Sequence, residues 1–258
     1  MTDADRKRGA SRDLIKVDQR PLVKVERADA ICRVRLCRGE RYNALDRATL
    51  TALAQVLATP FPGEVLLLEG EGGVFSVGPD IAELVAWDAV SARSFSLLAH
   101  EVIDALERWP GVTIARMNGF ALGSGLELAL GCDVLVADPE MRAGLPGLAW
   151  ALVPCMGGLR RLACRVGPGL GSELFLSGDI LDAHGARGMN LIDRVCADER
   201  EILQLAHDLG EFSPTAVDAI RGLRRERHGE IDADAEAALF AQPFVSGETQ
   251  KRLRELLA

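Results

Sequence analysis

The stretch "VTIARMNGFALGSGLELALGCDVLVADPE" places a strand, a glycine-rich turn, a helix and a second strand in immediate succession. This order is typical of α/β proteins built from repeated ββα units. A chain of 258 residues is long enough for one large domain of this kind. The glycines also mark a place where the backbone can approach another group closely, and Glu127 puts a single acid into the apolar helix that follows.

The segments before this stretch fit the same fold class. "LVKVERADAICRVRLCR" alternates apolar and charged residues on both sides of Ala28 and Asp29, which predicts a β-hairpin. "NALDRATLTALAQVLAT" has helical spacing, and "GEVLLLEGEGG" predicts a short buried strand. Asp80 and Glu83 are spaced as a capping box, and residues 92–108 predict a long amphipathic helix.

The chain becomes predominantly helical after about Gly158, where only "LIDRV" is strand-like. We therefore predict a flexible N-terminal segment over residues 1–20, an α/β core over 21–198 and a helical C-terminal region over 199–258.

Composition excludes several classes of function. The net charge of −8 argues against nucleic-acid binding, because that binding depends on neutralising phosphates with Lys and Arg. The six cysteines form no CxxC pair and have no His at zinc-ligand spacing, so we predict buried free thiols and no metal site. No apolar run is long enough to span a membrane, and the N-terminus lacks a signal-peptide hydrophobic region. We expect a cytoplasmic protein.

The glycine turn itself fits none of three common motifs. Leu126 stands where a phosphate-binding loop needs Lys, and Leu128 stands where a dinucleotide-binding fingerprint needs its third glycine. Leucine also replaces both glycines of a GxSxG nucleophile elbow. What remains is a helix start with free N–H groups, which can stabilise the oxyanion formed when a thioester carbonyl becomes an enolate.

Five segments in matching order resemble the crotonase superfamily, the enoyl-CoA hydratase/isomerase fold. They are "YNALD", "GVFSVGPDIAEL", "MNGFALGSGLELALGCDVLVA", "GLPGLAWALVPCMGGLRRL" and "GMNLIDRV". The resemblance implies a crotonase-like spiral of ββα repeats with a helical C-terminal trimerisation region. It also implies assembly as a homotrimer or a dimer of trimers.

The resemblance further implies an oxyanion hole and acid–base chemistry. In such proteins two backbone N–H groups hold the thioester oxygen, and the matching positions here are Ser124 and Pro79. Proline has no N–H to donate, so the Asp80 N–H is a candidate replacement. Glu127 matches the first of two catalytic glutamates, whereas Gly147 occupies the position of the second. No acid occurs within residues 141–172, so that loop offers no substitute.

The implied substrate is an acyl-CoA or acyl-carrier thioester, with coenzyme A as part of the substrate and no separate cofactor. Arg38 and Arg41 fall where the family often places a base near the coenzyme A phosphates. The residues expected to contact substrate are Arg41, Ala44, Leu45, Gly78, Asp80, Ile81, Gly123 and Gly147.

The reading we adopt is an acyl-CoA-processing enzyme of the enoyl-CoA hydratase/isomerase class, in which Glu127 acts as acid and base. One alternative is a one-acid isomerase or decarboxylase of the same fold, and another is a non-catalytic protein that binds an acyl-CoA or a partner. Glu127 could instead be a structural acid paired with Arg116. We expect the four histidines to be solvated and Cys155 to be a core thiol. The arginines of "RGLRRERHG" are interpreted as a solvated helical face, with an RNA-binding patch as the alternative.

Overall fold

The computed structural model describes residues 21–228 and 232–258, so the predicted flexible segment 1–20 lies outside the described residues. The strands are β1 Val23–Ala28, β2 Ile31–Leu36, β3 Val65–Gly70, β4 Thr113–Met117, β5 Phe120–Leu122, β6 Val134–Ala137, β7 Arg142–Gly144, β8 Ile180–Asp182 and β9 Arg194–Val195. The helices are α1 Arg47–Leu57, α2 Ile81–Leu84, α3 Ala89–Glu107, α4 Ser124–Leu130, α5 Gly158–Val166, α6 Pro168–Ser177, α7 Ala183–Gly188, α8 Glu199–Gly210, α9 Pro214–His228, α10 Ala233–Val245 and α11 Glu248–Leu257. Short 3-10 turns cover Gly39–Arg41, Glu71–Gly73 and Pro146–Trp150.

The predicted hairpin is confirmed. Strands β1 and β2 pair antiparallel, with Val23 opposite Leu36 and Ala28 opposite Ile31. The two residues between them, Asp29 and Ala30, have φ values of 50° and 60°. A two-residue turn with positive φ at both positions matches the right-handed twist of the strands that it joins.

A six-stranded sheet in the order β1-β2-β3-β4-β6-β9 forms the body of the fold. From β2 onward the strands run parallel, so helices must connect them. The larger apolar core lies on one face, against α1, α3 and α4. The apolar side of α8 covers part of the other face through Ile202, Leu205 and Ala206.

A second, three-stranded sheet has the order β5-β7-β8 and positions the glycine turn, which follows β5. The prediction that only "LIDRV" would be strand-like after Gly158 is wrong, because Ile180–Asp182 pairs antiparallel with β7. Three residues are too few to show the alternation that identifies a strand, and this one is defined by its pairing partner.

Helix starts follow the expected capping chemistry only in part. The Asp80 carboxylate accepts the Ala82 N–H at 3.1 Å and caps α2, as predicted. Glu83 does not complete a capping box, because its carboxylate accepts the Arg47 N–H at the start of α1 instead, at 3.2 Å. The long helix predicted over residues 92–108 is α3, which begins three residues earlier because Asp88 caps it.

Helix α10 packs along α3 through an aromatic cluster. The Phe95 ring lies 4.7 Å from Trp87 and 6.5 Å from Phe240, and Phe240 lies 5.5 Å from Phe244, measured between centroids. Burial of such rings contributes more to packing than their small number in this chain suggests. The C-terminal region is therefore joined to the core beside the glycine turn.

Arg221 corrects the prediction of a solvated arginine face on α9. Its side chain is buried, donates to the Asp133 carboxylate, with one contact of 2.9 Å, and donates to the Gly111 carbonyl at 2.6 Å. The side chains of Arg224, Arg225 and Arg227 lie outside the described residues. None of the described helices combines the length and the apolar character that crossing a membrane requires.

Candidate active site

The glycine turn brings the backbone of α4 close to a neighbouring segment. Gly123 has φ 52° and precedes the helix, and Gly78 has φ 93°. A Cβ atom on Gly78 would lie 2.7 Å from the Leu122 carbonyl oxygen and 3.2 Å from the Ser124 nitrogen. Both contacts are too close for a side chain, so glycine is required for this approach.

Ser124 is the first residue of α4, and only 3% of it is exposed. Within the described part of the chain its main-chain N–H has no hydrogen-bond acceptor, as expected at the first position of a helix. Its hydroxyl Oγ is also buried without a hydrogen-bond partner there. Two unused donors therefore lie on one buried residue.

The segment facing Ser124 offers no second main-chain donor. Pro79 lacks an N–H, and the Asp80 N–H donates to the Leu45 carbonyl at 3.0 Å. The Gly78 N–H points to the Ser76 hydroxyl at 3.2 Å. The expectation that Asp80 replaces the missing donor is therefore wrong for this structure, because its amide already has an acceptor.

Glu127 lies one turn further along α4, with 3% of its surface exposed. Its Oε2 accepts the N–H groups of Met156 and Gly158, both at 3.0 Å, and its Oε1 accepts the N–H of Cys155 at 3.4 Å. A Cβ on Gly158 would lie 2.3 Å from the Glu127 Cγ, so this contact also requires glycine.

No ion pair holds Glu127 to Arg116. The Arg116 guanidinium donates to Asp138 at 3.2 and 3.3 Å and lies 3.6 Å from Glu69. The alternative that Glu127 is a structural acid paired with Arg116 is therefore wrong. Arg116 lies on strand β4, and its carboxylate partners are Asp138 and Glu69.

The pKa of Glu127 is raised to about 7. Burial is the largest cause, since it disfavours the ionised carboxylate, and the negative charge of Glu236 is the second. The three N–H donors act in the opposite direction. A carboxyl group that titrates near neutral pH can both accept and release a proton during a reaction.

Two residues near the site were not predicted from the sequence. Glu236 was not among the candidate residues, and His100 was expected to be solvated. Glu236, on α10, accepts the Gly157 N–H at 2.6 Å, and its carboxylate lies 3.8 Å from His100 Nε2. His100 is buried, and desolvation lowers its pKa, so the expectation that it is solvated is wrong. His184 and His207 are exposed as expected, and the side chain of His228 lies outside the described residues.

A small cavity of about 40 Å³ lies between α4, the turn Pro146–Trp150 and α10. Glu127 is the only ionisable group other than the Cys155 thiol among its described lining residues. Burial raises the pKa of Cys155 well above its ordinary value, so it is a neutral core thiol, as predicted. The lining residues are Pro79, Gly123, Ser124, Glu127, Leu145, Gly147, Leu148, Leu152, Val153, Pro154, Cys155, Phe175 and Phe240.

Gly147 lines the cavity without providing a functional group. A Cβ at this position would lie 3.2 Å from the Leu152 carbonyl oxygen, which is tighter than ordinary contact. A glutamate could therefore be accommodated here only if the neighbouring loop moved.

The other residues predicted to contact substrate occupy three kinds of position. Ala44, Leu45 and Gly78 are buried and do not belong to the described cavity lining, Ile81 is half-buried on α2, and Arg41 is exposed. Asp80 caps α2 and pairs with Arg38 at 2.9 Å. Arg38 also contacts Asp46 at 3.1 Å, so its charge is neutralised within the protein. Among the described residues, no cluster of three or more His, Cys, Asp or Glu side chains could hold a metal ion.

Comparison with known proteins identifies the fold and the chemical class. The family model described as enoyl-CoA hydratase/isomerase matches residues 26–254. The chain is 33% identical over 227 residues to a 2,3-dehydroadipyl-CoA hydratase of Escherichia coli K12, covering 86% of this chain and 88% of the relative. It is 29% identical over 227 residues to a crotonyl-CoA hydratase of Syntrophomonas wolfei, covering 86% and 87% of the two chains.

Solved structures agree with the sequence relatives. The crystal structure of an enoyl-CoA hydratase from Thermoplasma volcanium superposes with a TM-score of 0.77 at 27% identity, covering 92% of this chain and 98% of that one. An enoyl-CoA hydratase/isomerase structure from Mycobacterium paratuberculosis has a TM-score of 0.82 at 22% identity, which supports the fold alone, and covers 92% and 99% of the two chains. The crotonase fold expected from the sequence is confirmed.

Proposed function

Because this chain belongs to the enoyl-CoA hydratase/isomerase family, we propose that it binds an acyl-CoA thioester and stabilises the enolate formed from it. The observation that carries the proposal is a protonatable Glu127 beside the unused donors of Ser124, on the wall of one apolar cavity. The Ser124 N–H would polarise the thioester oxygen, and Glu127 would move a proton between substrate carbons.

The second hydrogen bond to the thioester oxygen comes, in this proposal, from the Ser124 hydroxyl. A buried hydroxyl without a partner is unfavourable, so its retention beside the unused amide suits a ligand that supplies an acceptor. This donor would replace the N–H that Pro79 lacks. Each oxyanion donor is worth a factor of about 10²–10³ in rate.

A single carboxyl group in the cavity favours reactions in which one acid–base group suffices. In an isomerase reaction, Glu127 takes a proton from one carbon of the acyl chain, and the electron pair moves to the thioester oxygen as an enolate. The same carboxyl then returns the proton to another carbon. Hydration is more demanding, since water must be activated and a proton delivered. A one-acid isomerase is thus the favoured alternative to a hydratase, whereas a decarboxylase needs a carboxylate-bearing substrate, which the uncharged lining disfavours.

The cavity lining indicates an uncharged, short acyl group as the substrate class. No Lys, Arg or His belongs to the described lining, and most of its side chains are apolar. A terminal carboxylate would lose its hydration there without gaining a partner, which is strongly unfavourable. We therefore expect thioesters of short, neutral acyl groups that have a double bond at the α,β or the β,γ position.

A non-catalytic role is the second candidate function. It is supported by Pro79, which cannot donate a hydrogen bond, and by Gly147, which has no acid to offer.

We infer in addition, from the family and from the exposed apolar side chains of Phe212, Ile220 and Leu223, that the chain assembles as a homotrimer or dimer of trimers. Sedimentation analysis of the purified protein tests this assembly.

One set of measurements separates the enzyme from the binding protein. Turnover of crotonyl-CoA and of 3-butenoyl-CoA is followed for the wild type and for Glu127→Gln, together with equilibrium binding of acetoacetyl-CoA. Turnover that Glu127→Gln abolishes while binding persists supports the enzyme. Tight binding with no turnover of either thioester supports the non-catalytic alternative.

A further inference from the structure

The turn at residues 155–158 gives its four main-chain N–H groups to two carboxylates. Cys155, Met156 and Gly158 donate to Glu127, whereas Gly157 donates to Glu236 at 2.6 Å. The two acids come from helices far apart in the sequence, α4 and α10. They therefore meet at one peptide turn, residues 155–158, which we name the anchoring turn.

Arg161 also holds the anchoring turn, through a main-chain carbonyl. The Arg161 guanidinium donates to the Met156 carbonyl at 2.6 Å and to the Glu107 carboxylate at 2.8 Å. Arg161 thus forms an ion pair with Glu107 and a hydrogen bond to the main chain of the anchoring turn. Glu236 provides the acceptor for Gly157, whose backbone has φ 73° and turns the chain back into α5.

The surroundings of Glu236 contain few groups that could offset its charge. His100 Nε2 lies 3.8 Å away, is buried and has no hydrogen-bond partner among the described residues. Desolvation lowers the pKa of His100, which favours its neutral form. The ionisable groups around this pair and the anchoring turn are His100, Asp104 and Glu107 on α3, Arg161 on α5, Cys155 in the turn and Glu127 on α4.

We propose that Glu236 is the second carboxylate of this site and acts as a positioning residue. It holds the anchoring turn through Gly157 and places a negative charge against Glu127. Glu236 does not belong to the described cavity lining, so it acts through the anchoring turn and Glu127 and not on the substrate.

The expected consequence concerns the protonation of Glu127. The negative charge of Glu236 disfavours a second negative charge on the buried Glu127, so it adds to the effect of burial on the pKa of Glu127. With its pKa near 7, Glu127 is present in both forms around neutral pH, so its ionised form can accept a proton and its protonated form can return it. Without the Glu236 charge it would ionise at lower pH, and its carboxylate would be a weaker base toward the acyl carbon.

The test uses Glu236→Gln, which keeps an acceptor for Gly157 and removes the charge. Asp234→Asn is the matched control, because Asp234 lies on the same helix, is 76% exposed in its side chain and pairs with Arg93. The side-chain carboxyl carbon of Glu127 is followed by ¹³C NMR through a pH titration of the free protein, and is assigned with Glu127→Gln.

We expect the titration midpoint of Glu127 to fall by about one pH unit in Glu236→Gln and to stay in place in Asp234→Asn. An unchanged midpoint in Glu236→Gln overturns the electrostatic part of the proposal. Glu236→Ala also removes the acceptor, and hydrogen exchange of the Gly157 amide should then accelerate. Exchange that stays at the wild-type rate overturns the anchoring part.

The inference rests on the proposed function only for its catalytic meaning. Because the titration and the exchange are measured on free protein, they succeed or fail whether or not any thioester is turned over. A shifted midpoint in a protein without turnover supports the role of Glu236 and contradicts the enzyme assignment. Where turnover is present, the midpoint of the pH–rate profile should shift with the NMR midpoint.

Discussion

The Leu45 carbonyl accepts the Asp80 N–H at 3.0 Å, which removes that amide from the thioester site. The adjacent Leu45 N–H donates to the Gly78 carbonyl at 2.7 Å, so the segment is held from both sides of Pro79. The residue between these two hydrogen bonds faces the cavity and cannot donate. Pro79, where we proposed that an oxyanion donor is missing, is therefore held by main-chain hydrogen bonds on both sides.

Replacing Pro79 with alanine should supply the missing donor. The two flanking hydrogen bonds hold the backbone, so the new N–H would be directed by the existing geometry. We expect kcat/KM for the accepted thioester to increase by a factor of about 10–10². Steady-state kinetics measure this, with Pro62→Ala as a control at an exposed proline. Equal rates in Pro79→Ala and wild type would contradict a donor deficit at this position.

Removing the Ser124 hydroxyl should lower activity and raise stability together. Ser124→Ala keeps the main-chain N–H but loses the proposed second donor, so kcat should fall by a factor of about 10²–10³. The free energy of unfolding should rise by about 1 kcal/mol, because an unsatisfied buried hydroxyl is removed. Denaturant titration and kinetics measure the two effects. In a Pro79→Ala background, the Ser124→Ala change should cost less activity, because the new N–H at position 79 replaces the hydroxyl as a donor. An equal loss in both backgrounds would contradict the proposal that the Ser124 hydroxyl stands in for that N–H.

The raised pKa of Glu127 predicts a pH dependence of stability. The unfolded carboxyl ionises near 4.5, whereas the folded one binds its proton up to about pH 7. Between these values the folded state holds more protons, so the free energy of unfolding falls as pH rises and is level again above pH 7. The fall is at most about 3 kcal/mol.

The difference between wild type and Glu127→Gln isolates this effect. Urea unfolding of both proteins is measured from pH 4.5 to 8. The wild type should lose stability relative to Glu127→Gln across this range, since the variant has no group to ionise. Parallel curves would show that Glu127 titrates at its ordinary pKa.

Gly158→Ala should disturb Glu127 directly. The added Cβ would lie 2.3 Å from the Glu127 Cγ in the buried site, so the carboxylate or the anchoring turn must move. We expect destabilisation by about 1–3 kcal/mol and loss of most activity. Gly169→Ala, on α6 with nothing within 4 Å of its added Cβ, should be neutral or slightly stabilising. Similar behaviour of the two variants in thermal unfolding would contradict the tight packing at Gly158.

The uncharged lining of the cavity predicts discrimination against acyl groups that end in a carboxylate. We expect crotonyl-CoA to have a kcat/KM at least about 10²-fold above that of glutaconyl-CoA, because the second carboxylate would be desolvated without a partner. Parallel assays of the two thioesters measure this ratio. Equal values would place the acyl group outside the described cavity.

The fold could be predicted from the sequence where the signal was local. The hairpin around Asp29, the helix α4 after its glycines and the cap at Asp80 depend on neighbouring residues, and all three are confirmed. Strand β8 depends on its pairing with β7, in which Asp182 lies opposite Arg142, 40 residues earlier in the chain (182 − 142), and no local pattern marks the strand. Secondary structure created by a tertiary partner leaves little trace in a short segment.

The same distinction applies to the site. Glu127, Ser124 and Pro79 lie in motifs, and the structure brings all three to one cavity. Glu236 lies in an ordinary amphipathic helix, and only the packing of α10 on α3 brings it to Gly157. The sequence could be checked for an acid on the loop around Gly147, because the family motif fixes that position. No motif marks Glu236, so its place near the site could not be predicted from the sequence.

Helix α10 carries both Phe240, which closes one side of the cavity, and Glu236, one helical turn earlier, which holds the anchoring turn. A shift of this helix away from α3 would widen the acyl site and, in the same movement, weaken the grip of Glu127 on its proton. If the thioester binds in this cavity as proposed, its entry and the protonation of the carboxyl group would be linked through this one helix.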